Sequence, residues 1–114
     1  MRQIVLTPDR SWRSFLKAAV AEIYSRGGIV LVATTPSTHV LLLEIHREFR
    51  FPRRHTPEAP AETWPIPADE INPRIFIDRA TRAWHLLLAR PDVPLPPMTE
   101  HGVPRTTHSS WPSA

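Results

Sequence analysis

Arginines that alternate with aromatic residues are the side chains of this sequence best suited to a recognition chemistry. Phe49 and Phe51 lie among five basic residues, which are Arg47, Arg50, Arg53, Arg54 and His55. Guanidinium groups neutralise phosphates, and aromatic rings stack on bases. The cluster therefore indicates contact with nucleic acid. The plainer alternative is a solvated helix end, because Glu44 and Glu48 partly neutralise the cluster.

A second basic cluster lies in the segment that we predict as the last helix. Its members fall off the apolar positions and have Asp78 as the only acid among them; they are Arg74, Arg79, Arg82, His85 and Arg90. Such a helix face would suit a phosphate backbone or an acidic protein surface. Cations near a helix C-terminus also simply complement its dipole. The nucleic-acid interpretation gains weight if both clusters share one face of the fold.

The sequence contains no catalytic or metal-binding motif. It has no cysteine, so thiolate zinc sites and thiol nucleophiles are excluded. Its six histidines lack standard ligand spacing. Glu44 and Glu48 would lie one helical turn apart, and a solvated pair beside Arg47 explains them better than a buried acid–base pair. We therefore predict no enzyme, no catalytic residue, no metal and no cofactor.

Hydroxyl groups are concentrated between 34 and 38, at the end of a predicted strand. If a helix follows, its free amides and these hydroxyls could hold an anion. The glycines and the lysine of a phosphate-binding loop are absent from this segment. Helix capping, with Thr35 as N-cap and Pro36 in the first turn, is the favoured interpretation.

Hydrophobic periodicity predicts an α+β fold, or a small α/β fold. We expect a strand at 3–6, a helix at 8–26 ended by Gly27 and Gly28, and a buried strand at 29–34. For 38–51 we favour a helix over an antiparallel strand, because Leu42, Ile45 and Phe49 share a helical face. A proline-rich loop at 52–73 and a helix from 73 to Pro91 complete a single domain at 1–90.

Prolines set the character of the second half of the chain. The sequence holds 14 prolines against 3 glycines, and residues 91–114 are predicted to form an extended tail, docked or free. Trp64 and Trp111 lie between prolines and are candidates for a protein interface, although they could also dock on the chain's own core. Two strands make a thin sheet, so we expect a further strand in the loop or tail, or completion by a partner.

These observations rank the functions. With 114 residues, a net charge of +3 and no long apolar segment, we expect a small cytoplasmic accessory protein of bacterial or phage type, without a membrane partner. The first hypothesis is non-catalytic contact with nucleic acid through the arginines. The alternative is a protein-directed regulator or inhibitor of a host nucleic-acid-handling or defence complex, and an enzyme is a distant third. A homodimer is compatible with each.

Overall fold

A computed structural model describes residues 1–50 and 71–109 of the chain. Within these ranges the chain forms two helices and five strands, which confirms the α+β class. In chain order they are β1 (Arg2–Val5), α1 (Trp12–Arg26), β2 (Gly28–Ala33), α2 (Pro36–Arg50), β3 (Arg74–Ile77), β4 (Trp84–Ala89) and β5 (Thr107–Ser109). Most of the predicted loop at 52–73 lies outside the described residues.

Strand β2 is the centre of a mixed sheet. The strand order is β3-β4-β2-β1-β5, with β1 parallel and β4 antiparallel to β2. All six residues of β2 are buried. The sequence predicts this strand correctly, because a strand covered on both faces is a continuous apolar run rather than an alternating one.

Both helices pack on one face of this sheet. Their apolar stripes, which include Phe15, Ile23, Leu42 and Ile45, form one cluster with residues of alternate positions in β1, β2 and β4. The remaining positions form a second cluster on the other face, with Val30, Val32 and Leu87 at its centre and Phe76 at its border. We call these the helical face and the second face of the sheet.

Helix α1 begins four residues later than its composition suggests. We expected a start at Pro8, but the amide of Arg10 donates to the carbonyl of Thr7 in a turn, and Ser11 is the extended N-cap residue. The C-terminus agrees with the prediction. Gly27 has φ 87°, and its amide donates to the carbonyl of Ile23 at 3.1 Å, as a left-handed C-cap requires.

Residues 36–50 form helix α2, which confirms the favoured prediction for this segment. Its N-terminus is closed by a reciprocal pair of threonines. The amide of Thr38 donates to Oγ1 of Thr35 at 3.3 Å, and the amide of Thr35 donates to Oγ1 of Thr38 at 3.0 Å. This arrangement is a capping box with threonine in the third helical position.

The predicted last helix is wrong. Residues 74–89 form an antiparallel hairpin in which β3 and β4 are joined by a turn at 78–83. The apolar positions at helical spacing misled the prediction, because β4 is covered on both faces and therefore lacks alternation. The tertiary context decides here: β2 would otherwise lack a hydrogen-bonded neighbour on one side.

The tail after Pro91 contributes to the sheet. It leaves β4 where the amide of Arg90 donates to Gly27, and β5 pairs in parallel with β1. Between them, an isolated bridge joins Met98 to Pro104. The sequence analysis assigned only two strands, which is too few. Its expectation of a further strand in the loop or tail is confirmed by β5.

We expect Gly27→Ala to lower the free energy of unfolding by at least about 1–2 kcal/mol, because alanine is strained at this φ. An added Cβ would also lie 2.6 Å from Cγ2 of Val93 in the tail. Val93→Ala should relieve this contact, so the double variant should be more stable than the sum of the single effects by about 0.5 kcal/mol or more. Denaturant unfolding of the four proteins measures this. Strict additivity would contradict the docking of the tail at this point.

Candidate nucleic-acid interface

The structure separates the arginines that the sequence grouped. Arg53, Arg54, His55, Trp64 and Trp111 lie outside the described residues. Arg74 is the first residue of β3, and Arg79 and Arg82 lie in the turn that follows it. All three are exposed, and none forms an ion pair with a carboxylate among the described residues.

Asp78 organises this turn. Its Oδ1 atom accepts hydrogen bonds from the amides of Ala80 and Thr81 at 2.8 and 2.9 Å. The hydrogen bond from the Thr81 amide, with that of Ala80, holds the pKa of Asp78 below its ordinary value. The Oδ1 atom is thus committed to the backbone of the turn, while Arg79 and Arg82 in the same turn are exposed.

Arg82 closes the turn with a left-handed backbone conformation, which is unfavourable for residues other than glycine. Its φ is 65°, and among the described residues it is the only one other than glycine with a positive φ. Its amide donates to the carbonyl of Asp78 at 2.8 Å, and the amide of Asp78 donates to Ala83 at 2.9 Å. A strained arginine at a position suited to glycine is the kind of outlier that accompanies functional sites.

Two backbone carbonyls of the tail accept hydrogen bonds from Arg79. Nη2 of Arg79 donates to the carbonyl of Glu100 at 2.9 Å, and its amide donates to the carbonyl of His101 at 3.0 Å. These contacts orient the guanidinium without neutralising it, since a carbonyl carries no net charge. We call Arg79, Arg82 and the turn that carries them the arginine turn.

Arg47, Arg50 and Arg90 lie at the other end of the molecule. Arg47 and Arg50 are in the last turn of α2, which runs antiparallel to β2, and Arg90 follows β4. Arg90 is paired with Asp92 at 3.7 Å. Among the described residues the two arginine groups therefore do not share one end of the sheet. Arg53, Arg54 and His55 lie outside these residues, so a face shared by both complete clusters stays a prediction.

An aromatic pair lies beside the arginine turn. The rings of His39 and Trp84 are stacked, with centroids 4.1 Å apart and planes inclined by 6°. His39 is in the first turns of α2, and Trp84 begins β4 two residues after Arg82. Both rings are partly exposed. The sequence analysis missed this pair, because Trp84 and His39 become neighbours only when the hairpin brings β4 under α2.

His85 is buried, whereas the sequence analysis placed it on a basic helix face. It pairs with Val32 and Phe76 in register and therefore lies on the second face of the sheet. Burial lowers its pKa, with Asp78 opposing that shift, and its Nδ1 atom has no hydrogen-bond partner. His85 is thus a neutral core residue and does not add to the basic surface.

Three kinds of group that the sequence analysis weighed for catalysis, anion binding or metal binding lie within the described residues. Glu48 is buried rather than solvated, because it shares the flank of α2 that carries Leu41 toward the core, while Glu44 is partly exposed. The hydroxyl groups of Thr35 and Thr38 bond to each other and to the α2 cap, so capping accounts for them. Within 1–50 and 71–109, no three histidine or carboxylate side chains could share a metal ion.

Comparisons with protein-family models, curated proteins and solved structures found no match to this chain. Across the described part of the chain, neither helix has the length and apolar character needed to cross a membrane.

Arg82→Gly should raise the free energy of unfolding by about 1 kcal/mol, because glycine adopts a positive φ without steric cost. Ala80→Gly, in the same turn but with an ordinary φ, should lower it by roughly 0.5 kcal/mol. Thermal and urea unfolding compare the two variants with the parent. If Arg82→Gly were destabilising like Ala80→Gly, the strain at Arg82 would not exist.

Stability should fall as the pH decreases below about 6.5, the ordinary pKa of histidine. The unfolded chain then binds a proton that the buried His85 resists, so the unfolded state gains the advantage. His46, whose pKa burial also lowers, adds to this slope. His85→Gln should flatten the pH dependence of unfolding between pH 7.5 and 5. Equal slopes in His85→Gln and the parent would contradict the burial of a neutral His85.

Proposed function

We propose that this chain is a non-catalytic, cytoplasmic accessory protein that contacts the phosphate backbone of nucleic acid through its arginine turn. The observation that carries the proposal is the pair of exposed arginines, Arg79 and Arg82, in a hydrogen-bonded turn without a carboxylate partner among the described residues. Arginine in a fixed orientation binds a phosphate with two parallel hydrogen bonds.

The balance of charge supports an anionic partner. The described ranges contain twelve arginine and lysine residues against seven aspartate and glutamate residues, an excess of five positive charges. Of those acids, Glu22 is occupied by Arg2 and Arg26, and Asp78 by the backbone of the turn. The cations of the arginine turn are therefore available for phosphates.

The stacked pair of His39 and Trp84 supports single-stranded nucleic acid as the first substrate to try. The pair lies next to the arginine turn and is partly exposed. Proteins that bind single strands combine cations for the backbone with aromatic rings for the bases, and such stacking contributes about 1–3 kcal/mol per base.

A second candidate is the protein-directed regulator or inhibitor. Apolar side chains are exposed on α2 and on β3, namely Val40, Leu43, Ile75 and Ile77. An exposed apolar surface beside arginines also suits a protein interface. The two candidates differ in what displaces the partner, because phosphate contacts weaken steeply with salt and apolar contacts do not.

Fluorescence anisotropy with labelled 20-nucleotide single-stranded DNA, RNA and duplex DNA tests the first candidate. Protein stripped of host nucleic acid should bind at 50 mM salt and lose at least tenfold in affinity by 200 mM. Arg79→Ala with Arg82→Ala should weaken binding at least tenfold and reduce the slope of log Kd against log salt by about 1.5–2.

Arg13→Ala with Lys17→Ala is the matched control. It removes the same charge from exposed positions on α1 and should change Kd less than threefold. The proposal fails if no oligonucleotide binds at 50 mM salt, or if both double variants lose affinity equally.

A further inference from the structure

Strand β3 leaves one side of its backbone without a neighbour among the described strands, because it ends the sheet. The amide of Asp78 donates to Ala83 of the hairpin. In an antiparallel pair the backbone groups of alternate residues point the same way. Arg74, Phe76 and Asp78 therefore direct their backbone toward β4, and Ile75 and Ile77 direct theirs outward from the edge.

The side chains at this edge are apolar. Ile75 and Ile77 pair with Leu86 and Trp84, so they lie on the helical face of the sheet, yet they are 36% and 49% exposed. Helix α2 packs on β2 and β4 and does not cover them. Natural sheets usually protect an open edge with prolines, inward charges or bulges. Positions 75–77 have none of these.

The side chains of this edge are complementary to those of a second, antiparallel copy of the same strand. The sequence of the edge is Arg-Ile-Phe-Ile-Asp from Arg74 to Asp78, with opposite charges at its two ends. If two copies of β3 pair antiparallel about Phe76, each Ile75 lies opposite Ile77 of the partner subunit. Each Arg74 then lies opposite Asp78 of the partner subunit, on the same face. A register shifted by one residue would oppose one isoleucine to Phe76 and the other to Arg74 or Asp78.

The outward backbone groups fit this same register. Residues 75 and 77 would form the hydrogen-bonded pairs, each exchanging two N–H···O bonds, and the two copies of Phe76 would form the closer, non-hydrogen-bonded pair. Backbone direction, side-chain polarity and end charges thus favour one alignment, and they are independent features of the strand.

We propose that the chain forms a homodimer by antiparallel pairing of its β3 edges, which joins two five-stranded sheets into one continuous sheet. The inference does not depend on nucleic-acid binding. Four isoleucines would be brought together on the helical face of the joined sheet. Arg79 and Arg82 of each subunit would remain outside the paired residues.

Sedimentation equilibrium of the full chain in nucleic-acid-free buffer, from about 5 to 300 μM, tests the proposal. The mass should approach twice 13.0 kDa with increasing concentration. Ile75→Lys with Ile77→Lys places charges on the edge and should raise the dimer Kd at least tenfold. Arg74→Glu should raise it about three- to tenfold, and Lys17→Glu on α1 should leave it unchanged.

Disulfide trapping tests the register. The described residues and the whole sequence lack cysteine, so a single introduced thiol reports on its own position. Phe76→Cys should cross-link rapidly, because non-hydrogen-bonded pairs place their Cα atoms about 4.5 Å apart. Ile75→Cys, displaced from the symmetry axis, should cross-link at least tenfold more slowly. Circular dichroism checks that each variant is folded.

A monomeric mass at all concentrations would overturn the proposal. So would a dimer that the lysine variant leaves intact, since another surface would then hold it together. Equal cross-linking rates for the two cysteine variants would overturn the register. None of these results bears on oligonucleotide binding by the arginine turn, which the salt titration and the Arg79 and Arg82 variants test separately.

Discussion

The burial of β2 on both faces is the constraint on which the rest of the structure depends. Its six residues have no polar side chain, and each of its backbone groups needs a hydrogen-bonded neighbour once water is removed. Strand β1 pairs in parallel with one side of β2. The connection between these two strands contains α1 and places that helix on the sheet. Strand β4 supplies the other side, and the helical stripes of α1 and α2 cover one face.

The position of the arginine turn follows from that constraint. Since β4 is antiparallel to β2, the β3–β4 turn lies at the end of the sheet where β1 and β2 lead into their helices. This end brings Arg79 and Arg82 near the N-terminus of α2, where His39 stacks on Trp84. The tail then reaches the turn through Glu100 and His101 and returns to pair with β1. The result is a hydrogen-bonded turn that carries two exposed arginines.

The sequence predicts those elements whose local pattern and tertiary role agree. Helix α1 and helix α2 each bury one stripe, and β2 is a continuous apolar run between turn signals, so all three were recognised. The hairpin was not, because Trp84 to Ala89 is apolar throughout and its spacing fits a helix as well as a doubly buried strand. Ile75, Phe76 and Ile77, followed by the turn residue Asp78, were the available signal for a strand.

The candidate site was predicted less well than the fold. Individual arginines were named as candidates from their excess over acids, but their grouping depends on the hairpin, which separates Arg79 and Arg82 from Arg90 and buries His85. The stack of His39 on Trp84 joins residues 45 positions apart in the sequence. Contacts of this kind depend on sheet order, and periodicity carries no information about which strand becomes the neighbour of β2.

The most direct measurement of the central claim is a map of the bound surface by amide chemical shifts. Titration of ¹⁵N-labelled protein with a single-stranded oligonucleotide at 50 mM salt should perturb the amides of Arg79 to Arg82, of Gly102 and of His39, with the indole of Trp84. The amides of Arg13 to Lys17 on α1 should stay unchanged. Perturbations concentrated on α1, or none at saturating oligonucleotide, would contradict the arginine turn as the contact surface.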